Sequence, residues 1–272
     1  MTDPRALARA FLEQERQLGS DWVVLADGTA TAAPPAARAP GTPAPAPACL
    51  GSPARPAAPT APGPSAPPLP PPGISFDPPA GDLFATDPIQ AAASLAAIAE
   101  LVTACTRCRL CEGRTHAVPG EGPDGARLVV VGEGPGRVED ATGRPFVGPA
   151  GELLTKILAA IELPREQVFI CNVVKCRPPD NRVPQYDEIA ACLPYLFRQL
   201  ELVQPKVILA MGGTAAQALL NTKQSLGALR NRVHRFRGTP VIVTYHPAAL
   251  LRNPNWKRPT WDDVRIVRRL LA

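Results

Sequence analysis

The sequence predicts an α/β domain with a parallel sheet covered by helices on both faces, and three features point to it. Four short runs rich in β-branched residues, Leu128–Val131, Val168–Ile170, Val207–Leu209 and Val241–Val243, have the length of buried strands. Stretches with helical periodicity separate them, at 152–161, 185–201 and 214–220. The runs carry no polar face, so each strand must be covered above and below, which is the environment of a parallel sheet.

The elements ahead of this pattern are of a different material. The 272 residues include 35 Pro and 21 Gly, and Thr31–Pro72 holds 16 of those prolines with only two charges, Arg38 and Arg55. Such a stretch lacks the apolar bulk to offset the entropy of ordering, so residues 31–85 are expected to be a disordered, partly polyproline linker. Residues 1–30 form a short segment in which 4–18 have amphipathic helical spacing, with Asp3 as cap and Pro4 in the first turn. The domain proper is expected over 86–272, and its first helix is SLAAIAELVTAC, which leads directly into a group of cysteines. No apolar run is long enough to cross a membrane. The N-terminus has early acids and no apolar h-region, so the chain is expected to be cytoplasmic with reduced thiols, and a monomer is expected besides.

Of seven cysteines, Cys49 lies in the linker and Cys171 inside a strand pattern, where a buried unligated thiol is expected. Cys105, Cys108 and Cys111 form C-x2-C-x2-C, and Cys176 and Cys192 follow downstream. In a reducing compartment this set reads as a metal or cluster site before it reads as disulfides. A ferredoxin run would need a cysteine after three more residues, but Thr115 and His116 stand there, and a zinc ribbon would need a second C-x2-C. Four ligands from Cys105, Cys108, Cys176 and Cys192 are the economical choice.

In such sheets ligands bind beyond the carboxyl ends of the strands. After the first strand comes Gly132-Glu133-Gly134-Pro135-Gly136, which lacks the lysine of a phosphate loop and the helix of a dinucleotide fingerprint. The second strand runs into Asn172, whose amide offers both a donor and an acceptor. The third leads to Gly212-Gly213-Thr214 at a helix start, and the fourth to Tyr245-His246-Pro247. The net charge of +5 suggests a polyanionic partner. Arg230, Arg232, Arg235 and Arg237 surround His234 in what reads as a phosphate-contacting loop, whereas Lys257, Arg258, Arg265, Arg268 and Arg269 read equally well as a solvated helix face.

With these residues in place, the chain from about 100 to 255 resembles the family 4 uracil-DNA glycosylases, the iron–sulfur type. CTRC with RLCEGR, GEGPGRVEDATGRPFVGPAG, NVVKCRPPDNRVP ending at Cys192, and TYHPAALLRNP occur in the family's order. The resemblance implies a three-layer α/β/α domain around a four-stranded parallel sheet, and a structural [4Fe–4S] cluster on Cys105, Cys108, Cys176 and Cys192 without Cys111. It implies uracil-containing DNA, single- or double-stranded, as the partner. Phe146 would stack on an extruded uracil, Asn172 would read its O4/N3 edge, and His246 would hydrogen-bond O2 as charge develops on the leaving base. Glu133 would place water or the sugar, and Glu139 would shape the pocket against a thymine methyl. Gly134 belongs to the substrate-binding loop and stands where related enzymes carry an Asp, so no dedicated general base is assigned. Arg230, Arg232, Arg235 and Arg237 would grip DNA. Two other readings share these residues: a glycosylase for another deaminated base such as hypoxanthine, and a non-catalytic iron–sulfur protein that binds nucleic acid. The N-terminal extension is the expected contact for repair or replication proteins.

Overall fold

The four apolar runs become four neighbouring parallel strands, and their order creates the site. The computed structural model describes residues 68–78 and 87–272; the expected N-terminal helix and most of the Pro/Ala-rich stretch lie outside them. The strands are β1 (Pro72–Phe76), β2 (Leu128–Gly132), β3 (Val168–Asn172), β4 (Val207–Met211), β5 (Val233–Phe236) and β6 (Thr239–Thr244). They form one sheet in the order β1-β5-β6-β4-β2-β3. All pairings are parallel except β5 with β6. The chain leaves β2 for β3 on one side and returns to β4 on the other. The crevice of a doubly wound sheet therefore opens between the ends of β2 and β4.

The longer helices are α1 (Leu95–Thr103), α2 (Arg137–Thr142), α3 (Pro149–Ala160), α4 (Tyr186–Val203), α5 (Gly213–Leu220), α6 (Pro247–Arg252) and α7 (Lys257–Leu271), and α2 starts directly after Gly136, where the sequence pattern shows no helix. Alternate strand residues face opposite layers, as the two-residue period of a strand requires. Val129 and Val131 pack with Ile98 of α1, Leu196 of α4 and Ala216 of α5. Leu128 and Val130 pack with Leu154 of α3 and Val264 of α7 on the other face. Helices therefore cover both faces of the sheet, and the three-layer α/β/α arrangement holds.

Two strands exceed the expected four. Residues 233–236 were expected to be loop, yet β5 pairs antiparallel with β6 through a tight hairpin at Arg237-Gly238. Residues 72–76 fall in the expected linker, yet β1 adds to the β5 edge, with Ile74 N–H donating to His234 Nδ1 at 2.9 Å. His234 is fully buried, and its Nε2–H bonds the Leu229 carbonyl at 2.7 Å. A satisfied core histidine therefore fastens the sheet edge, and the ordered domain begins before residue 86.

Candidate active site

Each strand end in the crevice delivers one residue. Asn172 closes β3 opposite Gly132 of β2 and is 1% exposed, with its Oδ1 lacking any hydrogen-bond partner. A buried acceptor without a donor is rare, and here it marks a place for a ligand's N–H. Gly132 permits the approach: a Cβ there would lie 2.3 Å from Asn172 Oδ1 and 2.5 Å from Phe146 Cζ. At Gly134 a Cβ would meet Val174 Cγ2 at 2.7 Å, so the buried valine resists any side chain there.

Phe146 lies across the cavity with φ at 50°, an uncommon backbone state for a bulky residue. Two side chains hold it there. Arg165 donates to the carbonyls of Phe146 (3.0 Å) and Pro145 (2.6 Å), and Glu139 Oε1 accepts from the N–H groups of Val147 (3.0 Å) and Gly148 (2.9 Å). Glu139 is thus brought to the Phe146 loop as its clamp, whereas Arg165 is a supporting residue that sequence reasoning missed. Glu133 accepts from Thr214 Oγ1, which fixes its carboxylate at the start of α5.

His246 sits at the N-cap of α6, where its Nδ1 accepts from Ala248 N–H at 3.2 Å. Burial lowers its pKa to about 4 and Arg252 adds to that, while Glu139 opposes. The ring is therefore neutral at physiological pH, and with Nδ1 accepting, its proton sits on Nε2. The rings of His246 and Phe146 are 5.5 Å apart. Glu133, Gly134, Glu139, Phe146, Asn172 and His246 all line one cavity of about 440 Å³, with Arg252 at its rim.

Residues 119–265, more than half of the chain, match the family model described as the uracil DNA glycosylase superfamily. The chain belongs to that superfamily. The type-4 uracil-DNA glycosylase of Sulfurisphaera tokodaii is 46% identical over 186 residues, 65% of this chain and 84% of that protein. That of Thermotoga maritima is 50% identical over 158 residues, covering 57% and 82%. The type-5 enzyme of Pyrobaculum aerophilum is more distant, at 33% over 172 residues, 57% and 75%.

A second cavity of this uracil-DNA glycosylase homologue is lined by Cys105, Cys108, Cys176 and Cys192, with Cys111 also on its wall. The sulfurs of Cys105, Cys176 and Cys192 receive N–H donors from Arg107 N (3.5 Å), Arg114 Nη1 (3.2 Å) and Lys175 N (3.3 Å). Among the described residues no such donor is found for Cys108 or Cys111. Burial pushes the Cys192 thiol up to about 12 and raises Cys108 and Cys176 as well. Cys171 is fully buried in β3, as expected.

The arginine cluster does not stay together. Arg230 Nε pairs with the fully buried Asp263 at 2.8 Å and its guanidinium lies 4.4 Å over the Tyr245 ring. Arg232 is exposed just before β5. Arg235 Nη1 bonds the Gly238 carbonyl at 2.7 Å, and Arg237 pairs with Glu201. The β5–β6 hairpin places both at the start of β6, roughly 16 Å of strand from its His246 end. The single loop gripping DNA beside His246 is therefore corrected: alternation buries Phe236 and His234 and turns the arginines to different tasks. Among the described residues no helix is long and apolar enough to cross a membrane.

Proposed function

We propose that the protein excises uracil from DNA, hydrolysing the N-glycosidic bond and leaving an abasic site. The observation that carries this reading is the unpartnered Oδ1 of Asn172 in a cavity closed by Phe146 and a neutral His246. The target nucleotide must leave the base stack, at a few kcal/mol. Phe146 then stacks on the ring, Asn172 Oδ1 accepts from N3–H, and its amide N–H₂ donates to O4. Cytosine presents the reverse pattern and would leave both groups buried and unsatisfied. As the bond to C1′ stretches, negative charge grows on uracil O2, and the Nε2–H of His246 is the donor for it, a preorganised contact commonly worth a few kcal/mol. Water, oriented by Glu133, adds to C1′ and releases one proton to solvent. Uracil leaves as the anion and takes a proton from solvent. Arg252 at the rim is the phosphate contact closest to this chemistry, and Arg232 a further one.

The cysteine cavity fits a [4Fe–4S] cluster on Cys105, Cys108, Cys176 and Cys192. The four thiols line one space, the arrangement that a core held at its corners requires. A bound cationic core displaces thiol protons, so the four cysteines would hold it as thiolates. The cluster would tie the 105–108 turn to α4 and supply structure to the DNA-facing loops; hydrolysis needs no electron. Incubation with a uracil-containing oligonucleotide followed by alkali tests the activity: scission at uracil is expected, and an intact strand with the iron-loaded protein would overturn it.

A further inference from the structure

We propose that Lys175 is a positioning residue linking the cysteine cavity to base recognition: it is the internal counter-charge of the cluster, and its amine holds the carbonyl of Asn172. The inference rests on the cluster reading above. Lys175 is 1% exposed, among the largest fully buried side chains of the domain. Its Nζ donates to the Asn172 carbonyl at 2.8 Å and to Gln199 Oε1 at 2.6 Å, both neutral groups. Among the described residues no carboxylate pairs with it, and a buried amine without an opposite charge is costly. The same residue's N–H donates to Cys192 Sγ, and Cys176 follows it in the chain. Gln199 continues the network by donating to the Pro119 carbonyl at 2.7 Å, beside Val118, whose N–H bonds the Lys175 carbonyl.

The missing negative charge enters when four cysteines become thiolates, since four thiolates on an oxidised cubane core leave a net negative charge. Lys175 is then balanced on one side and fixes the end of β3 on the other. Removing the cluster unbalances the amine and loosens the backbone that aims Asn172 Oδ1 into the cavity. The cluster is thereby felt by base recognition without passing an electron.

The test uses the full chain with Lys175→Met, purified anaerobically beside the parent. The variant is expected to keep its iron, to show a more negative cluster reduction potential because a nearby positive charge is gone, and to excise uracil about tenfold more slowly at saturating DNA. The DNA concentration at half-maximal rate should change little. An iron-loaded variant with the parent's potential and rate overturns the proposal. Should Lys175→Met fail to fold, Gln199→Glu places a carboxylate against Nζ and should also move the potential negative; an unmoved potential overturns the link. A colourless parent would overturn the cluster reading itself, a result distinct from a brown protein indifferent to Lys175.

Discussion

At the scale of single residues the proposed function rests on Asn172, whose buried Oδ1 has no partner, and on His246, whose Nδ1 is already engaged. Asn172→Ala removes both hydrogen bonds to the pyrimidine edge, so uracil excision should fall by about 100-fold or more while the melting temperature holds. An unchanged single-turnover rate would remove Asn172 from base reading. His246 predicts a pH dependence. Its Nδ1 accepts from Ala248 N–H, so protonation would set two N–H groups against each other and break the α6 cap. With the folded pKa near 4 and the unfolded value near 6.5, the unfolded chain binds the proton first. Stability from this group is therefore complete above 6.5 and is lost as pH falls toward 4. Excision should be level from neutral pH downward and drop only as pH approaches 4, and His246→Gln should flatten the stability slope across that window, as denaturant titrations at several pH values would show.

At the scale of elements, the strands that could be read were those whose burial is written in their own residues. Leu128–Val131 and Val207–Leu209 need no partner to be recognised, and the helices between them follow from periodicity. β5 is a short Val-His-Arg-Phe alternation, and its charges suggested a loop although the alternation suits a half-buried strand. β1 was hidden because Pro-Gly-Ile-Ser-Phe is flanked by prolines and is ordered only by the edge it joins. Arg230 was read as a DNA contact because its partner Asp263 lies 33 residues on, in α7. Asp263→Ala should cost about 3–5 kcal/mol by leaving the Arg230 guanidinium buried and unpaired, measurable by denaturant unfolding. Arg252→Ala should lower the salt dependence of DNA binding by a slope of about 0.9, whereas Arg235→Ala with Arg237→Ala should leave it unchanged. The reverse outcome would put the DNA path at the hairpin. Deleting residues 1–67 should leave stability intact, whereas deleting 1–82 also removes β1 and exposes the β5 edge and His234. That longer deletion should melt earlier yet still excise uracil, because β1 contributes nothing to the cavity.

The whole molecule places two cavities on either side of one loop. β3 ends in Asn172 at the base cavity, and three residues later the same chain enters the cysteine cavity at Lys175 and Cys176. That the strand-end residues share one cavity and the cysteines another was legible because their residue types stand at fixed places in a parallel sheet. Supporting groups such as Arg165, Arg114 and Gln199 were not, since a hydrogen bond to a distant carbonyl leaves no local pattern. The account stands on discrimination by the pocket, so the most direct measurement is single-turnover release of free base from oligonucleotides of one sequence carrying uracil, cytosine, thymine or hypoxanthine at one position. Release of uracil alone, lost in Asn172→Ala, is the predicted result; equal or faster release of hypoxanthine, or no release of uracil by the iron-loaded protein, would contradict it.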